Sequence, residues 1–211
     1  MAEPWLERWE QGRTGWHEPD GNSKLKTFWP DLADGTRVLV PLCGKTPDLF
    51  WLANRGLDVV GVELSQIAIE SFFAEHDLEF EAHDDGKLTR FVTHSHSIAI
   101  YCGDYFDFES APFDALFDRG ALVAMPANER PRYVEHTKTL VKHYAYRLII
   151  TLEYDQTAAN GPPFSVMPDE VMSYWNDMKL VGRNNDIDKA PPKFKLAGLT
   201  EVIESAWSSQ A

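Results

Sequence analysis

A glycine turn and a carboxylate about twenty residues apart are the first residues in this chain with the types and spacing to do chemistry. Val38-Leu39-Val40-Pro41-Leu42-Cys43-Gly44-Lys45 reads as a buried strand entering a tight turn, and Val59-Val60-Gly61-Val62-Glu63 as a second strand ending in an acid. Gly44 lets the backbone come close to a ligand. Glu63 can accept hydrogen bonds from both hydroxyls of a ribose. Each also has an ordinary reading, as a turn glycine and as a helix cap or surface charge. The Gly-x-Gly-x-x-Gly fingerprint of dinucleotide enzymes is missing, so the pair points to a nucleoside cofactor of another kind.

Two more segments follow apolar runs. In Cys102-Gly103-Asp104-Tyr105, Asp104 can accept from an adenine amino group. In Asp118-Arg119-Gly120-Ala121-Leu122, Arg119 can attract an anionic acceptor, and Asp118 can face a cofactor ammonium or fix Arg119. A plain strand-to-loop turn and a structural Asp–Arg pair are the corresponding alternatives. Trp5 and Trp9 lie one helical turn apart and share a face, and Trp16 follows closely. Such rings can close over a bound cation through cation–π attraction, or can simply pack an amphipathic helix on the core.

The elements that must position these groups alternate. Helix is expected over 3–11 and from Ser23 to Pro30, and strand over 36–40. Thr46 and Pro47 open a helix that Gly56 stops. Strand two covers 58–62, and Ser65 caps a helix from Ile67 to Glu75. Residues 78–97 are mixed and polar and read as an insertion, a hairpin. Strands follow over 98–102 and 113–118, then a helix from Asn128 to Lys142 and a long strand from Tyr146 to Glu153. After a Pro/Gly-rich loop over 155–164, Pro168 opens a short helix. Strands over 178–184 and 199–207 end the chain, with too little between them for a crossover helix, so they read as an antiparallel edge pair. Strands alternating with helices predict a mainly parallel sheet covered on both faces.

Composition narrows the function. The 211 residues suit one α/β domain, and 44% hydrophobic content supplies a core. A net charge of −13 with no Lys/Arg cluster argues against nucleic acid. No apolar run reaches membrane-spanning length and the N-terminus does not read as a signal peptide. Cys43 and Cys102 read as free thiols in a reducing, cytoplasmic setting. No Cys/His spacing suggests zinc, and His94 and His96 alternate along an extended segment as surface residues do. A Gly-x-Ser-x-Gly elbow and a Walker loop are both missing.

Taken together, Trp5, Trp9, Gly12-Arg13-Thr14-Gly15-Trp16-His17, Pro41-Leu42-Cys43-Gly44-Lys45, Gly56, and Val59-Val60-Gly61-Val62-Glu63-Leu64-Ser65 closely resemble the thiopurine S-methyltransferase family. Phe72-Phe73, Tyr101-Cys102, Phe113-Asp114, Asp118-Arg119-Gly120-Ala121-Leu122-Val123-Ala124 and Gly161-Pro162-Pro163-Phe164 extend the match over about residues 3–180. The bacterial members are the nearest in appearance. The resemblance implies a three-layer α-β-α, Rossmann-like class I methyltransferase with seven mostly parallel strands, the last antiparallel. It implies one domain over 1–211, with an N-terminal helical lid over 1–33 and the insertion at 78–97. The cofactor would be S-adenosyl-L-methionine, leaving as S-adenosyl-L-homocysteine, with no metal. Trp5, Trp9 and Trp16 would line cofactor and lid, Leu42 and Gly44 the methionine end, Glu63 and Leu64 the ribose, and Asp104 and Tyr105 the adenine. Asp104 stands where mammalian relatives carry serine. Arg119, with Asp118 beside it, would lie at the reacting end, and Trp16, Pro163 and Phe164 would wall a flat acceptor. The family's arginine before the last strand pair is replaced by Pro192-Lys193-Phe194-Lys195, where Lys193 or Lys195 stands in without the planar fork.

The expected reaction is methyl transfer to the sulfur of an aromatic or heterocyclic thiol, or to selenium or tellurium species in a detoxifying role. An acceptor thiolate or selenolate needs no strong base, so orientation and exclusion of water carry the catalysis. Partners would be a small thiol or selenol, with no nucleic acid and no membrane, and the chain would be a monomer. The rival readings are a nicotinamide-dependent oxidoreductase and a non-catalytic nucleoside-binding protein.

Overall fold

A computed structural model describes residues 3–209. Its centre is built from apolar runs too short for helices and rich in β-branched residues. The strands of the sheet are β1 (Arg37–Pro41), β2 (Asp58–Glu63), β3 (Glu81–Asp85), β4 (Leu88–Val92), β5 (Ile98–Cys102), β6 (Phe113–Arg119), β7 (Val141–Glu153), β8 (Met178–Asn185) and β9 (Ile203–Ser209), of which the outermost, β3 and β8, are largely exposed instead. They form one sheet in the order β3-β4-β5-β2-β1-β6-β7-β9-β8. From β5 to β7 neighbouring strands run parallel, while β9 is antiparallel to both β7 and β8.

The sheet has two more strands than expected. Seven follow the expected pattern, with the penultimate position in the sheet held by the antiparallel β9. The other two, β3 and β4, are the hairpin of the 78–97 insertion, joined antiparallel to β5. Every residue of β3 is exposed, as its sequence Glu-Ala-His-Asp-Asp requires. His83 and His94 both approach Glu81, whereas His96 packs on Phe50, so His94 and His96 face different partners.

Helices cover both faces. On one side α2 (Ser23–Phe28), α3 (Asp48–Ala53) and α4 (Gln66–Glu75) bury Leu25, Leu49, Leu52, Ile69, Phe72 and Phe73 against Val38, Val40, Phe117 and Leu148. On the other, α5 (Arg130–Leu140) and α6 (Pro168–Tyr174) bury Tyr133, Val134, Leu140 and Val171 against Leu39, Leu116, Ile149 and Trp207. The N-terminal α1 (Glu3–Glu10) lies over the carboxyl edge of β1, where Trp9 reaches Gly44.

Several local expectations shift by a residue or two. Ser65 does cap α4, accepting from the Ala68 amide at 3.4 Å. Pro47 sits at the cap of α3 rather than inside it, and Thr46 instead donates to the Asp48 side chain at 2.8 Å. Helix α2 starts at Ser23 as expected, and Asn22 caps it by accepting from the Lys24 and Leu25 amides. Helix α5 ends at Leu140, two residues before the expected Lys142, because the chain passes at once into β7 at Val141, where His143 and Tyr144 are exposed. A short α7 (Lys193–Leu196) falls in the connection between β8 and β9; Pro191-Pro192 precede it, Gly198 follows with φ +81°, and it buries Phe194.

One contact ties the two edges of the proposed turn together. A Cβ on Gly61 of β2 would stand 2.7 Å from the Cys43 sulfur. Gly61→Ala is therefore expected to destabilise the protein by about 1–3 kcal/mol through overpacking. Urea unfolding of the variant checks it, and an unchanged midpoint would show that Cys43 can move aside.

Candidate functional site

Parallel α/β sheets bind ligands beyond the carboxyl ends of their strands, where the strand order reverses. Here the reversal lies between β1 and β6, since β2 and β5 extend one way from β1 and β6 and β7 the other. A cavity of about 620 Å³ opens at that place. Its size is in the range of a small-molecule site.

The turn after β1 forms one end. Leu42 has φ +47°, in the left-handed region that non-glycine residues rarely adopt, and Gly44 has φ +56°. This geometry aims the Gly44 amide at the Glu63 carboxylate, which accepts it at 2.8 Å through one oxygen and the Ser65 amide at 2.8 Å through the other. Glu63 is 7% exposed. Burial raises its pKa, and the amides of Ser65, Gly44 and Leu64 oppose that rise. Each carboxylate oxygen has a second lone pair, which is what a ribose hydroxyl needs.

Aromatic rings make the roof. The Trp9 ring lies 3.2 Å from where a Gly44 Cβ would be, so glycine is what lets Trp9 seat there. Trp16 meets Trp5 and Trp9 edge-on, with centroids at 5.2 and 5.7 Å, and the Arg8 guanidinium lies 5.0 Å from the Trp5 ring.

Strand alternation sorts the charged pair after β6. Arg119 stands beside Ile150 of β7 and turns into the cavity, while Asp118 stands beside Ile149 and turns into the opposite core. The Arg119 fork donates to the Trp16 carbonyl at 2.7 Å and to the Glu18 carboxylate at 2.6 Å. Asp118 is fully buried, accepting from the Tyr133 hydroxyl at 2.7 Å and the Leu122 amide at 3.1 Å. The structure thus corrects the expectation that Asp118 stands at the reacting end facing a cofactor ammonium or fixing Arg119: Arg119 pairs with Glu18, and Asp118 braces the 122–124 turn from behind.

The adenine candidates also stand apart from the cavity. Asp104 caps a 3-10 turn over 105–107 by accepting from the Phe106 amide at 2.9 Å. Tyr105 is 5% exposed, its ring turned inward and its hydroxyl 3.0 Å from that of Thr137. Burial pushes the Tyr105 phenol well above its usual range. Pro162 and Pro163 line the cavity, whereas Phe164 folds back beneath Gly161 and donates its amide to the Val123 carbonyl at 2.6 Å. Of the two lysines before β9, Lys193 donates to the Asn160 and Pro162 carbonyls at 2.6 and 2.7 Å beside the cavity. Lys195 turns away to Asp188 at 2.8 Å.

The cavity also gathers residues that sequence reading did not single out. His17 and Glu18 enter from the N-terminal segment, Ile150 and Leu152 form an apolar floor, and Asp186, Lys189 and Glu204 close the far end. Burial, and then the nearby Lys45 charge, lower the His17 pKa. His17 closes the quoted Trp16 motif and Glu18 follows it, which was a usable signal. Glu204 carried no local signal, because only the β7–β9 register brings it beside Leu152. Among the described residues no group of three or more His, Cys, Asp and Glu side chains could hold a metal, and no helix is long and apolar enough to cross a membrane.

The fold and this site define a class: a Rossmann-like, S-adenosylmethionine-dependent methyltransferase. Among solved structures, a Burkholderia thailandensis 1,6-didemethyltoxoflavin-N1-methyltransferase, crystallised with 1,6-didemethyltoxoflavin and S-adenosylhomocysteine, superimposes with a TM-score of 0.64 at 14% identity, over 100% of this chain and 87% of that one. TehB from Haemophilus influenzae does so at 0.58 and 13%, over 89% and 60%. The family model described as thiopurine S-methyltransferase matches residues 1–211. Thiopurine S-methyltransferase of Bordetella petrii is 46% identical over 95% of this chain and 94% of its own, and that of Photobacterium profundum 42% over 98% and 97%. The chain belongs to the thiopurine S-methyltransferase family.

Burial lifts the Asp118 pKa from its ordinary 3.8 to about 6, against the bonds from Tyr133, Leu122 and Ala121. A carboxyl whose folded pKa is raised adds stability below its unfolded pKa and loses it as pH climbs through the folded one. Asp118→Asn removes this dependence. The variant's stability relative to the parent protein should therefore rise by roughly 2 kcal/mol between pH 4 and pH 7, as urea unfolding across that window would read. A constant difference would mean that Asp118 does not titrate there.

Proposed function

We propose that this protein transfers the methyl group of S-adenosylmethionine to the sulfur of an aromatic or heterocyclic thiol, with small selenols as further acceptors. The observation that carries the reading is continuity: one cavity runs from the Gly44–Glu63 turn, beneath Trp5, Trp9 and Trp16, to Arg119 and Pro162-Pro163. It crosses from β2 to β9, four inter-strand steps or about 19 Å, enough for a nucleoside cofactor and a small acceptor end to end.

The residues present fit the cofactor. Glu63 offers free lone pairs for the ribose, and Leu42, Gly44 and Leu64 offer backbone and apolar surface at the turn. The adenine end falls to the loop after β5, whose Gly103 amide bonds to the Glu63 carbonyl at 3.0 Å. In this reading Asp104 and Tyr105 shape that loop through its 3-10 turn. When bound, the cofactor supplies an electrophilic sulfonium methyl.

The chain's own part is to hold, orient and dry. Residues 1–33 act as a lid whose three tryptophans keep water from the sulfonium and attract its charge. Arg119 steers an anionic acceptor sulfur and at the same time holds the lid through Trp16 and Glu18. Pro162 and Pro163 wall a flat ring, with Phe164 stiffening their loop and Lys193 fixing its carbonyls. Aromatic thiols ionise readily, so no residue is assigned as a strong base. Asp118 acts from behind, by holding the turn that presents Val123 and Ala124. The enzyme is assigned as a cytoplasmic monomer; its free Cys43 and Cys102 support a reducing setting.

Incubation with S-adenosylmethionine and 6-mercaptopurine should yield S-adenosylhomocysteine and S-methylated product by mass spectrometry, and no product with any thiol or selenol would sink the proposal. Glu63→Gln sets an amide NH2 against the Gly44 or Ser65 amide. It should weaken cofactor binding by roughly 1.5–3 kcal/mol in calorimetry; unchanged affinity would remove Glu63 from the ribose site. Arg119→Lys should stay folded by circular dichroism yet lose at least roughly tenfold in kcat/KM, because an ammonium cannot hold both fork partners and steer sulfur as well. Equal rates for the two proteins would return Arg119 to a purely structural role.

A further inference from the structure

The far end of the cavity carries a carboxylate that the reading above does not use. Glu204 lies near the start of β9, paired with Leu152, and so shares a sheet face with Ile150 and Leu152. It lines the cavity together with Pro162, Pro163 and Asp186. It is 7% exposed, an unusual place for an acid unless the acid is paired. Lys24 of α2 supplies the pairing: its ammonium stands 3.2 Å from one Glu204 oxygen and donates also to Asn184. Lys24 approaches from behind and is not part of the cavity wall. Burial raises the Glu204 pKa, and the Lys24 charge counters it.

The charge is thus balanced from one side, and the other oxygen remains for a ligand. A carboxylate accepts hydrogen bonds and donates none. Ile150 and Leu152 give this end an apolar floor, while Asp186 and Glu18 add negative charge near Glu204, so the site favours a hydrogen-bond donor over a further acceptor. Glu63 occupies the opposite end of the same cavity, four strands away, which leaves Glu204 to the acceptor.

Resting on the methyltransferase reading, we infer that Glu204 determines acceptor specificity by accepting a hydrogen bond from a ring N–H that a heterocyclic thiolate keeps when its sulfur is ionised. Acceptors that carry such a donor are favoured over aromatic thiols that lack one. The Lys24 ion pair holds Glu204 in position and keeps it an acceptor. A site built to bond an N–H discriminates strongly, because an acceptor without that group strands a buried polar atom.

The test compares kcat/KM for 6-mercaptopurine, for its singly N-methylated forms, and for thiophenol, which has no ring N–H. In the natural protein, methylating the recognised nitrogen should lower kcat/KM tenfold or more. This arm needs no variant. Glu204→Leu should reduce the preference for 6-mercaptopurine over thiophenol by tenfold or more, with thiophenol turnover largely kept. Because Glu204→Leu leaves Lys24 buried without its partner, the double variant Lys24→Met/Glu204→Leu, which replaces both charges by apolar groups, is measured beside it. The same loss of preference is expected. If both acceptors fall together in the variants, or if every N-methylated form reacts like 6-mercaptopurine, Glu204 is only half of a structural pair and the inference is overturned. If the natural protein methylates neither acceptor, the methyltransferase reading itself fails, and this one with it.

Discussion

The arrangement of this protein's cavity depends on a buried carboxylate held by main-chain amides. Glu63 is nearly sealed from solvent, and its two oxygens take the Gly44 and Ser65 amides. Leaving such a charge unpaired inside a protein would cost several kcal/mol, so the turn after β1 and the start of α4 must both present donors to it. That requirement explains the left-handed Leu42 and Gly44, a conformation that a free chain would avoid. It also explains why Gly61 must lack a side chain, since the same turn brings the Cys43 sulfur down onto β2. Trp9 then seats on Gly44, and the aromatic roof follows from the turn.

Much of this was legible because it is local. The β1 run, its glycine, the β2 run and its acid lie within one strand–helix–strand unit, and the parallel pairing of β1 with β2 aligns their ends. The hairpin was legible from the polarity of β3, and the antiparallel end of the sheet from the short link before β9. What sequence patterns did not show was direction at strand ends. Asp118 and Arg119 are adjacent letters, yet a strand sends them to opposite faces, and the sheet register alone says which one meets the cavity. Asp104 and Tyr105 likewise sit in the expected loop, but the 3-10 turn spends the Asp104 carboxylate on its own cap and drives Tyr105 toward Thr137.

The far end of the cavity was the least legible because it is assembled from distant segments. Lys24, Asn184 and Glu204 meet although they are far apart in the chain. No periodicity marks such a triad. In sequence Lys24 reads as one charge on a short polar helix and Glu204 as one more acid in an acidic chain. Only the packing of α2 over β9 makes them a buried pair, and a pair of this kind is better evidence for a positioned group than for stability.

The N-terminal segment is held over the cavity by two unlike attachments. One is apolar: Trp9 against the bare face of Gly44, with Trp16 edge-on to Trp5 and Trp9. The other is polar: the Arg119 fork on the Trp16 carbonyl and the Glu18 carboxylate, with Glu18 also accepting from the Asn22 side chain at 3.2 Å. Both sides of the Arg119–Glu18 pair remain partly exposed, so solvent screening limits what it adds to stability. The fork uses two of its five N–H donors on these contacts. One side chain at the end of β6 therefore ties down the segment that carries the roof and still presents donors at the cavity wall, so the position of the tryptophans and the polarity of the wall beneath them are set from a single strand end.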